Sequence, residues 1–230
     1  MAPELTLYHA THACSTVVHC LLEDLGLPFK EIKMKMGPNG IQSVDGTINR
    51  DEYLKIHHMG YVPALVADGE SITEMPAILS YIANLRPEKC LLGDDSLQQA
   101  RVLEWLSWLS GALHGHGFAM AFQPGRFTDD KSQGPHLRAK GLDFVRKCYA
   151  RIDERLEGRE YPVGNRETVV DFNLIIFWLW GLEQEIDMPG LYPEYGRLIT
   201  RMARKETVKK VDIYAQPALK YIPKEEETKL

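Results

Sequence analysis

The sequence has few cysteines. Among its 230 residues there are four, Cys14, Cys20, Cys90 and Cys148, and they form neither a CxxC pair nor a Cys/His zinc spacing. So few cysteines exclude a disulfide scaffold and favour a reduced compartment. We therefore expect a cytoplasmic protein without a metal centre.

A basic excess and a membrane-spanning run are lacking too. Lys and Arg number 27 against 32 Asp and Glu, which gives a net charge of −5. A mildly acidic chain without a basic block is a poor ligand for nucleic acids or anionic membranes. The most apolar stretch, 169–182, contains Asp171 and Asn173 and is shorter than the roughly 20 apolar residues that cross a bilayer. The first ten residues have no basic start or long apolar core, so we expect no signal peptide.

The pattern that is present changes along the chain. Two amphipathic helix patterns, ending at Leu25 and Leu85, alternate with strand signals at 5–8, 29–36, 61–66 and 71–73. This order predicts a β-α-β unit followed by a β-β-α unit. The glycine-rich stretch 37–46 predicts a loop between them.

From about residue 97 onward the signals are helical. A stripe from Leu142 to Leu156 predicts one long helix, and Thr168 followed by Asp171 predicts a capping box before the apolar run. A further helix is predicted around 198–202, and a frayed charged tail at 224–230. The fold class is therefore α+β, with an α/β domain at 1–86, a linker at 87–98 and an all-α domain at 99–230.

Cys14 and Ser15 stand where the first strand gives way to the first helix. Free backbone N–H groups and the positive end of the helix dipole favour a thiolate at such a position. The alternative is an inert, buried cysteine, and the residues alone leave both interpretations open.

Two further motifs lie before the second predicted helix. Val62-Pro63 separates two strand-forming stretches, which predicts an edge position or a cis turn that leaves the Val62 backbone ready to pair with an extended ligand. Thr73-Glu74 opens the helix, where Glu74 can hold an ammonium group beside an anion site. Ordinary helix capping is the alternative for the second motif.

A third candidate is rich in glycine. Gly111, Gly115 and Gly117 surround His114 in a segment whose periodicity is helical. Because mid-helix glycines are unfavourable, they predict an open wall beside a bulky ligand; the alternative is a helix that bends there, with histidines in solvent. His57 and His58 are predicted to form a loop pair with diverging side chains.

Together these motifs resemble the cytosolic glutathione S-transferase superfamily, in its beta-like or fungal-type branch. The matching segments lie in the family's order, at 7–15 with its Ala-Cys-Ser triplet, 22–28, 61–65, 72–78, 104–108 with Leu113-His114, and 168–171. The resemblance implies an N-terminal thioredoxin-like, glutathione-binding domain, a C-terminal helical domain and a homodimer.

The resemblance also implies roles in binding glutathione. Val62, held by a cis bond to Pro63, would pair its backbone with the cysteinyl part. Glu74 would hold the γ-glutamyl ammonium group and the Met75 N–H its carboxylate. His58 stands in the segment where relatives contact the glycyl carboxylate.

The remaining roles concern the sulfur and the second substrate. Cys14, Ser15 or Tyr8 would lie near the glutathione sulfur, with His114 close by. Tyr8, His114, Phe118 and Phe122 would line the site of an apolar, small-molecule second substrate, and the small residues around His114 favour a bulky one.

Four functions are consistent with this resemblance. The first is transfer of glutathione to an apolar, possibly bulky electrophile. The others are glutathione-dependent cis–trans isomerisation, thiol transfer through Cys14, and a non-catalytic binding or regulatory module of the same fold.

Overall fold

The computed structural model describes residues 3–211, which begin with a five-stranded sheet of order β3-β2-β1-β4-β5. The strands are β1 (Leu5–His9), β2 (Lys30–Gly37), β3 (Gly40–Ser43), β4 (Ala64–Ala67) and β5 (Glu70–Ile72). Strands β1 and β2 are parallel, and the other neighbours are antiparallel. The predicted β-α-β and β-β-α order is confirmed.

One strand lies where the sequence predicts a loop. β3 occupies part of the stretch 37–46 and pairs with β2, with Gly37 opposite Gly40. The prediction was wrong there because the glycines and the intervening Pro38 form a tight hairpin turn. Alternate burial of Ile41 and Ser43 follows from the pairing.

Ten α-helices are described, and a π-helix, Leu109–Phe118, joins two of them. They are α1 (Ser15–Asp24), α2 (Arg50–Leu54), α3 (Met75–Asn84), α4 (Ser96–Trp108), α5 (Ala119–Phe122), α6 (Gly134–Leu156), α7 (Val169–Glu183), α8 (Met188–Leu191), α9 (Pro193–Ala203) and α10 (Glu206–Lys210). The long helix, the helix after the capping box and the one around 198–202 all match predicted helices.

The sheet has a different neighbour on each face. Leu5 and Leu7 point into the main core with α1 and α3, whereas Tyr8 points into a smaller core with Tyr53 of α2. This alternation follows from the period of two along a strand. The carboxyl end of β1 therefore leads directly into α1, the segment that carries Cys14 and Ser15.

Helix α7 is the centre of the helical region. All its residues from 169 to 181 are buried, and it contacts α1 of the sheet domain. Thr168 and Asp171 form the predicted reciprocal capping box, which satisfies backbone N–H groups that would otherwise be buried without partners.

The glycine-rich segment continues α4 as a π-helix. A Cβ on Gly117 would lie 2.9 Å from Val145 Cγ2 of α6, so this glycine permits close helix packing. The prediction that it opens a substrate wall was wrong, because Gly117 is buried against α6. Gly111 is exposed and has open space around it.

Within residues 3–211, none of the helices is both long enough and apolar enough to cross a membrane. The frayed tail predicted at 224–230 lies outside the described residues. The predicted linker at 87–98 stays a prediction; in the structure α4 begins at Ser96 within it.

Candidate functional site

The loop before β4 has a cis peptide between Val62 and Pro63. Its carbonyl groups have partners on both sides: Cys14 Sγ donates to Val62 O at 3.4 Å, and Tyr53 Oη donates to Tyr61 O at 2.7 Å. The Val62 N–H has no acceptor among residues 3–211. A backbone donor is thus left for an extended ligand beside the thiol.

Glu74 precedes α3 in an unusual backbone conformation, with φ +69° and ψ 125°. A non-glycine residue at positive φ is strained by about 1 kcal/mol, and such residues cluster at ligand sites. Its exposed side chain makes no capping hydrogen bond, so ordinary capping does not explain this residue. The Met75 side chain is buried, while its N–H lies in the first turn of α3, where helical N–H groups lack internal partners.

Cys14 is a buried, protonated thiol. Burial raises its pKa to about 12, and the negative charge of Glu74 acts in the same direction. Of the two interpretations that the sequence left open, the structure therefore favours the inert, buried cysteine over the thiolate. Desolvation outweighs the backbone N–H groups at the start of α1. Its Sγ stays within hydrogen-bond reach of the Val62 carbonyl.

Ser15 is fully buried inside the β1–α1 turn. Its Oγ accepts from the Ala10 N–H at 3.1 Å, donates to Ala10 O at 3.2 Å, and lies 2.9 Å from His9 Nδ1. With these three contacts, the hydroxyl stabilises the turn that precedes Cys14.

Tyr8 lies on the other face of β1 from the main core. Its ring centroid is 5.4 Å from that of Tyr53, and burial raises the pKa of its phenol. It thus supports the α2 region, whose Tyr53 hydroxyl holds the cis-peptide loop.

His57 and His58 stack on each other, with ring centroids 5.6 Å apart and an interplanar angle of 22°. The prediction of diverging side chains was wrong, because the chain turns here and the Gly60 N–H donates to His57 O. His57 is buried, which lowers its pKa, and the charge of His58 lowers it further. His58 is exposed beside the same loop.

Aromatic side chains of the helical region form a second group of candidate residues. The His114 ring lies 5.0 Å from Trp180 and 6.1 Å from Phe177, centroid to centroid. Phe122 is 38% exposed and 5.3 Å from Trp180, whereas Phe118 is fully buried behind them. Burial lowers the pKa of His114 to about 4, and the Arg126 guanidinium contributes to the shift. His114 is therefore neutral near pH 7.

Two contacts join the helical region to the sheet domain. Trp180 Nε1 donates to His12 O at 3.1 Å, and the Arg126 guanidinium lies 4.7 Å from the centroid of the Tyr61 ring. Sequence reasoning missed Trp180 and Arg126. Trp180 is one of several large apolar residues in a buried helix, and nothing in the sequence distinguishes it from its neighbours.

The residues singled out from the sequence thus fall into three groups. Cys14, Val62, Pro63 and Glu74 belong to the sheet domain and are called the sheet wall, whereas His114, Phe122 and Trp180 belong to the helical region and are called the helical wall. Ser15, Tyr8 and Phe118 lie behind these surfaces and support them.

Two sequence models of one family match the chain. The glutathione S-transferase N-terminal domain matches residues 3–84, and the glutathione S-transferase C-terminal domain matches residues 120–206. Among curated proteins, glutathione S-transferase GstA of Escherichia coli O157:H7 is 27% identical over 206 residues, which cover 89% of this chain and 95% of that protein.

Solved structures agree with the sequence models. A sphingomonad glutathione S-transferase complexed with glutathione matches with a TM-score of 0.78 at 29% identity, over 93% of this chain and 98% of that one. The beta class glutathione S-transferase of Sphingomonas chungbukensis gives 0.77 at 28% identity, over the same shares. With both family domains matched in order and the fold shared almost end to end, the chain belongs to the glutathione S-transferase family.

Proposed function

We propose that this protein binds glutathione on its sheet side and activates the thiolate for attack on an apolar electrophile held by the helical side. The observation that carries the proposal is the Val62 N–H, which has no acceptor among residues 3–211, beside the Cys14 thiol that donates to Val62 O and that lies close enough to Glu74 for its charge to raise the pKa of the thiol. Similarity to the sphingomonad protein complexed with glutathione supports the choice of ligand.

The backbone supplies most of the glutathione contacts in this proposal. The Val62 N–H and carbonyl pair with the cysteinyl residue as a neighbouring strand would. The Met75 N–H and the dipole of α3 hold the γ-glutamyl carboxylate, and Glu74 holds the ammonium group. His58, exposed beside the loop, is the candidate partner of the glycyl carboxylate.

The glutathione sulfur then lies near Cys14. A protonated thiol is a weak nucleophile but a hydrogen-bond donor, so Cys14 supports the glutathione thiolate instead of replacing it. This favours conjugation over thiol transfer through a mixed disulfide. Ser15 and Tyr8 act as positioning residues for the β1–α1 turn and the α2 region.

The second substrate packs against His114, Phe122 and Trp180. A neutral imidazole and two aromatic rings offer apolar, polarisable surface without a fixed charge. The Arg126 guanidinium, over the Tyr61 ring, is a cation near enough to His114 to lower the pKa of that ring. The arrangement suits an electrophile with an aromatic or conjugated body.

Titration calorimetry with glutathione tests the binding site. We expect Glu74→Ala to weaken binding at least about tenfold, because an ion-paired contact is lost. Glu70→Ala is the matched control, since Glu70 is an exposed carboxylate on the adjacent strand β5. Absence of binding by the unchanged protein at millimolar glutathione would refute the proposal and favour a non-catalytic module.

Turnover of chlorodinitrobenzene separates the two thiol mechanisms. Cys14→Ser keeps a hydroxyl donor and should retain conjugation to within about tenfold. Complete loss of activity together with loss of a glutathione mixed disulfide would identify Cys14 as the nucleophile and overturn the assignment.

The homodimer and the cytoplasmic location stay predictions. Sedimentation equilibrium of the purified chain measures the first directly. Fluorescence microscopy of a tagged protein measures the second.

A further inference from the structure

Three side chains outside the proposed glutathione site converge between the sheet and α1. His9 ends β1, His19 lies on α1, and Glu31 lies on β2. His9 Nε2 is 3.9 Å and His19 Nδ1 3.6 Å from the same oxygen, Glu31 Oε1. One ligand atom from each of the three residues lies within 4.8 Å of the others.

The polar atoms of this cluster lack partners. His9 Nδ1 lies 2.9 Å from Ser15 Oγ, so Nε2 is the ring nitrogen that faces Glu31. His19 Nδ1 and Glu31 Oε1 are both buried and make no hydrogen bond. Buried polar atoms without partners are unfavourable, and one cation between them would satisfy them.

Outer contacts hold the ligands in this orientation. Ser15 fixes the His9 ring, and Glu23 Oε1 lies 4.0 Å from the far nitrogen of His19. The other oxygen of Glu31 is 3.8 Å from Lys33 Nζ, which leaves Oε1 directed at the imidazoles. Partners of this kind orient the ligands of metal sites.

We propose that His9, His19 and Glu31 bind a divalent transition-metal cation of the zinc type, with a fourth position for water. Two imidazoles and one carboxylate suit zinc, whereas calcium and magnesium prefer oxygen ligands alone. Zinc–ligand bonds of about 2.0–2.1 Å place tetrahedral ligand atoms about 3.4 Å apart, so the observed gaps close with small movements.

The site would join β1, α1 and β2 through one ion. Because His9 also contacts Ser15, the ion would stiffen the β1–α1 turn that presents Cys14. Its role is therefore structural support of the strand–helix unit, and no chemical step passes through it.

The test uses the full chain, stripped of metal with a chelator and kept free of glutathione, which itself binds zinc. Calorimetric titration with zinc chloride should give one ion per chain with micromolar or tighter affinity, and the melting temperature should rise. His19→Ala and Glu31→Gln should each weaken zinc affinity at least about tenfold. His136→Ala, at an exposed histidine of α6, should leave it unchanged.

Cobalt(II) gives a second measurement that needs no variant. The visible bands of tetrahedral cobalt without a thiolate charge-transfer band support the imidazole–carboxylate site. No stoichiometric binding, a zinc affinity in both ligand variants equal to that of the unchanged chain, or a thiolate band lost in Cys90→Ser would each overturn the proposal. Circular dichroism of the metal-free variants confirms that they are folded, and the unchanged chain's cobalt spectrum decides if they are not.

Discussion

The sheet wall and the helical wall are built from different parts of the chain. On the sheet wall, the groups proposed to bind glutathione are mostly backbone atoms, the Val62 peptide and the N–H of Met75, together with the exposed carboxylate of Glu74. On the helical wall, the groups proposed to hold the electrophile are aromatic side chains, from Phe122, His114 and Trp180. One wall is made by turns and the other by packing.

Because of this difference, side-chain substitutions should change the helical wall more than the sheet wall. A backbone donor keeps its position when the side chain changes, and the side chain of Met75 is buried away from solvent. The helical wall changes its shape with every aromatic substitution. We therefore expect glutathione recognition to depend on the conformation of the sheet wall, and the choice of electrophile on the side chains of the helical wall.

The most severe way to break the helical wall is to remove the cap of α7, which carries Phe177 and Trp180. Asp171 is fully buried, accepts from the Thr168 N–H at 2.9 Å and binds Arg201 at 2.7 Å. Asp171→Ala leaves the buried Thr168 N–H without its acceptor and removes the carboxylate partner of Arg201, which keeps its bond to Glu160 O, and should lower the free energy of unfolding by about 3 kcal/mol or more. Urea denaturation followed by circular dichroism measures it.

Asp143→Ala is the control for this change. Asp143 is an exposed aspartate of α6, 3.3 Å from Arg146, and such surface pairs contribute about 0–1 kcal/mol. Equal losses from the two substitutions would mean that the cap does not stabilise α7.

The helical wall should also respond to acid through His114. Its pKa is about 4 when folded against an ordinary 6.5, because burial and Arg126 disfavour the charged ring. Between these values the unfolded chain binds more protons, so stability falls as pH falls from about 6.5 to about 4. Since part of the ring contacts solvent, we expect about 2 kcal/mol of this loss to come from His114.

His114→Phe removes one titrating group and should make that part of the stability profile shallower, while His9, whose pKa burial also lowers to about 4, keeps its own contribution. His136→Phe makes the same replacement at an exposed position of α6. A wild-type pH dependence that survives intact in His114→Phe would contradict the assignment.

The sheet wall was largely predictable because its signals are local. A Val-Pro pair between strands and a glutamate at a helix entry each depend on a few consecutive residues, and the structure has a defined conformation at each. Short elements escaped prediction: β3 and α2 span too few residues to show a period.

The helical wall was less predictable because its geometry is tertiary. Trp180 contacts His12, and Arg126 contacts Tyr61, only once α7 and the turn before α6 are packed against the sheet domain. Gly117 looks like an opening in the sequence and is a close contact with α6 in the fold. The thiol of Cys14 shows the same limit, since its position predicts a lowered pKa and its burial raises it.

Phe122→Ala sharpens the comparison by changing one wall alone. Its ring is partly exposed and packs on Trp180, so we expect KM for an apolar electrophile to rise about five- to tenfold. Affinity for glutathione should not change. Phe127→Ala matches it in exposure, at 43% against 38%, and Phe127 makes no described ring contact with the wall. Weakened glutathione binding in Phe122→Ala would show that the walls are not independent.

The smallest expected effect tests the hydrogen bond that joins the walls. Trp180→Phe removes the Nε1–H that binds His12 O and keeps an aromatic ring beside His114. Trp178→Phe is the matched control, because Trp178 lies on the same helix and its buried Nε1 has no partner. Both substitutions shrink a buried indole, so the difference between them reports the bond. We expect Trp180→Phe to lower the free energy of unfolding by about 1 kcal/mol more than Trp178→Phe. Equal losses would mean that packing alone holds the sheet wall against the helical wall.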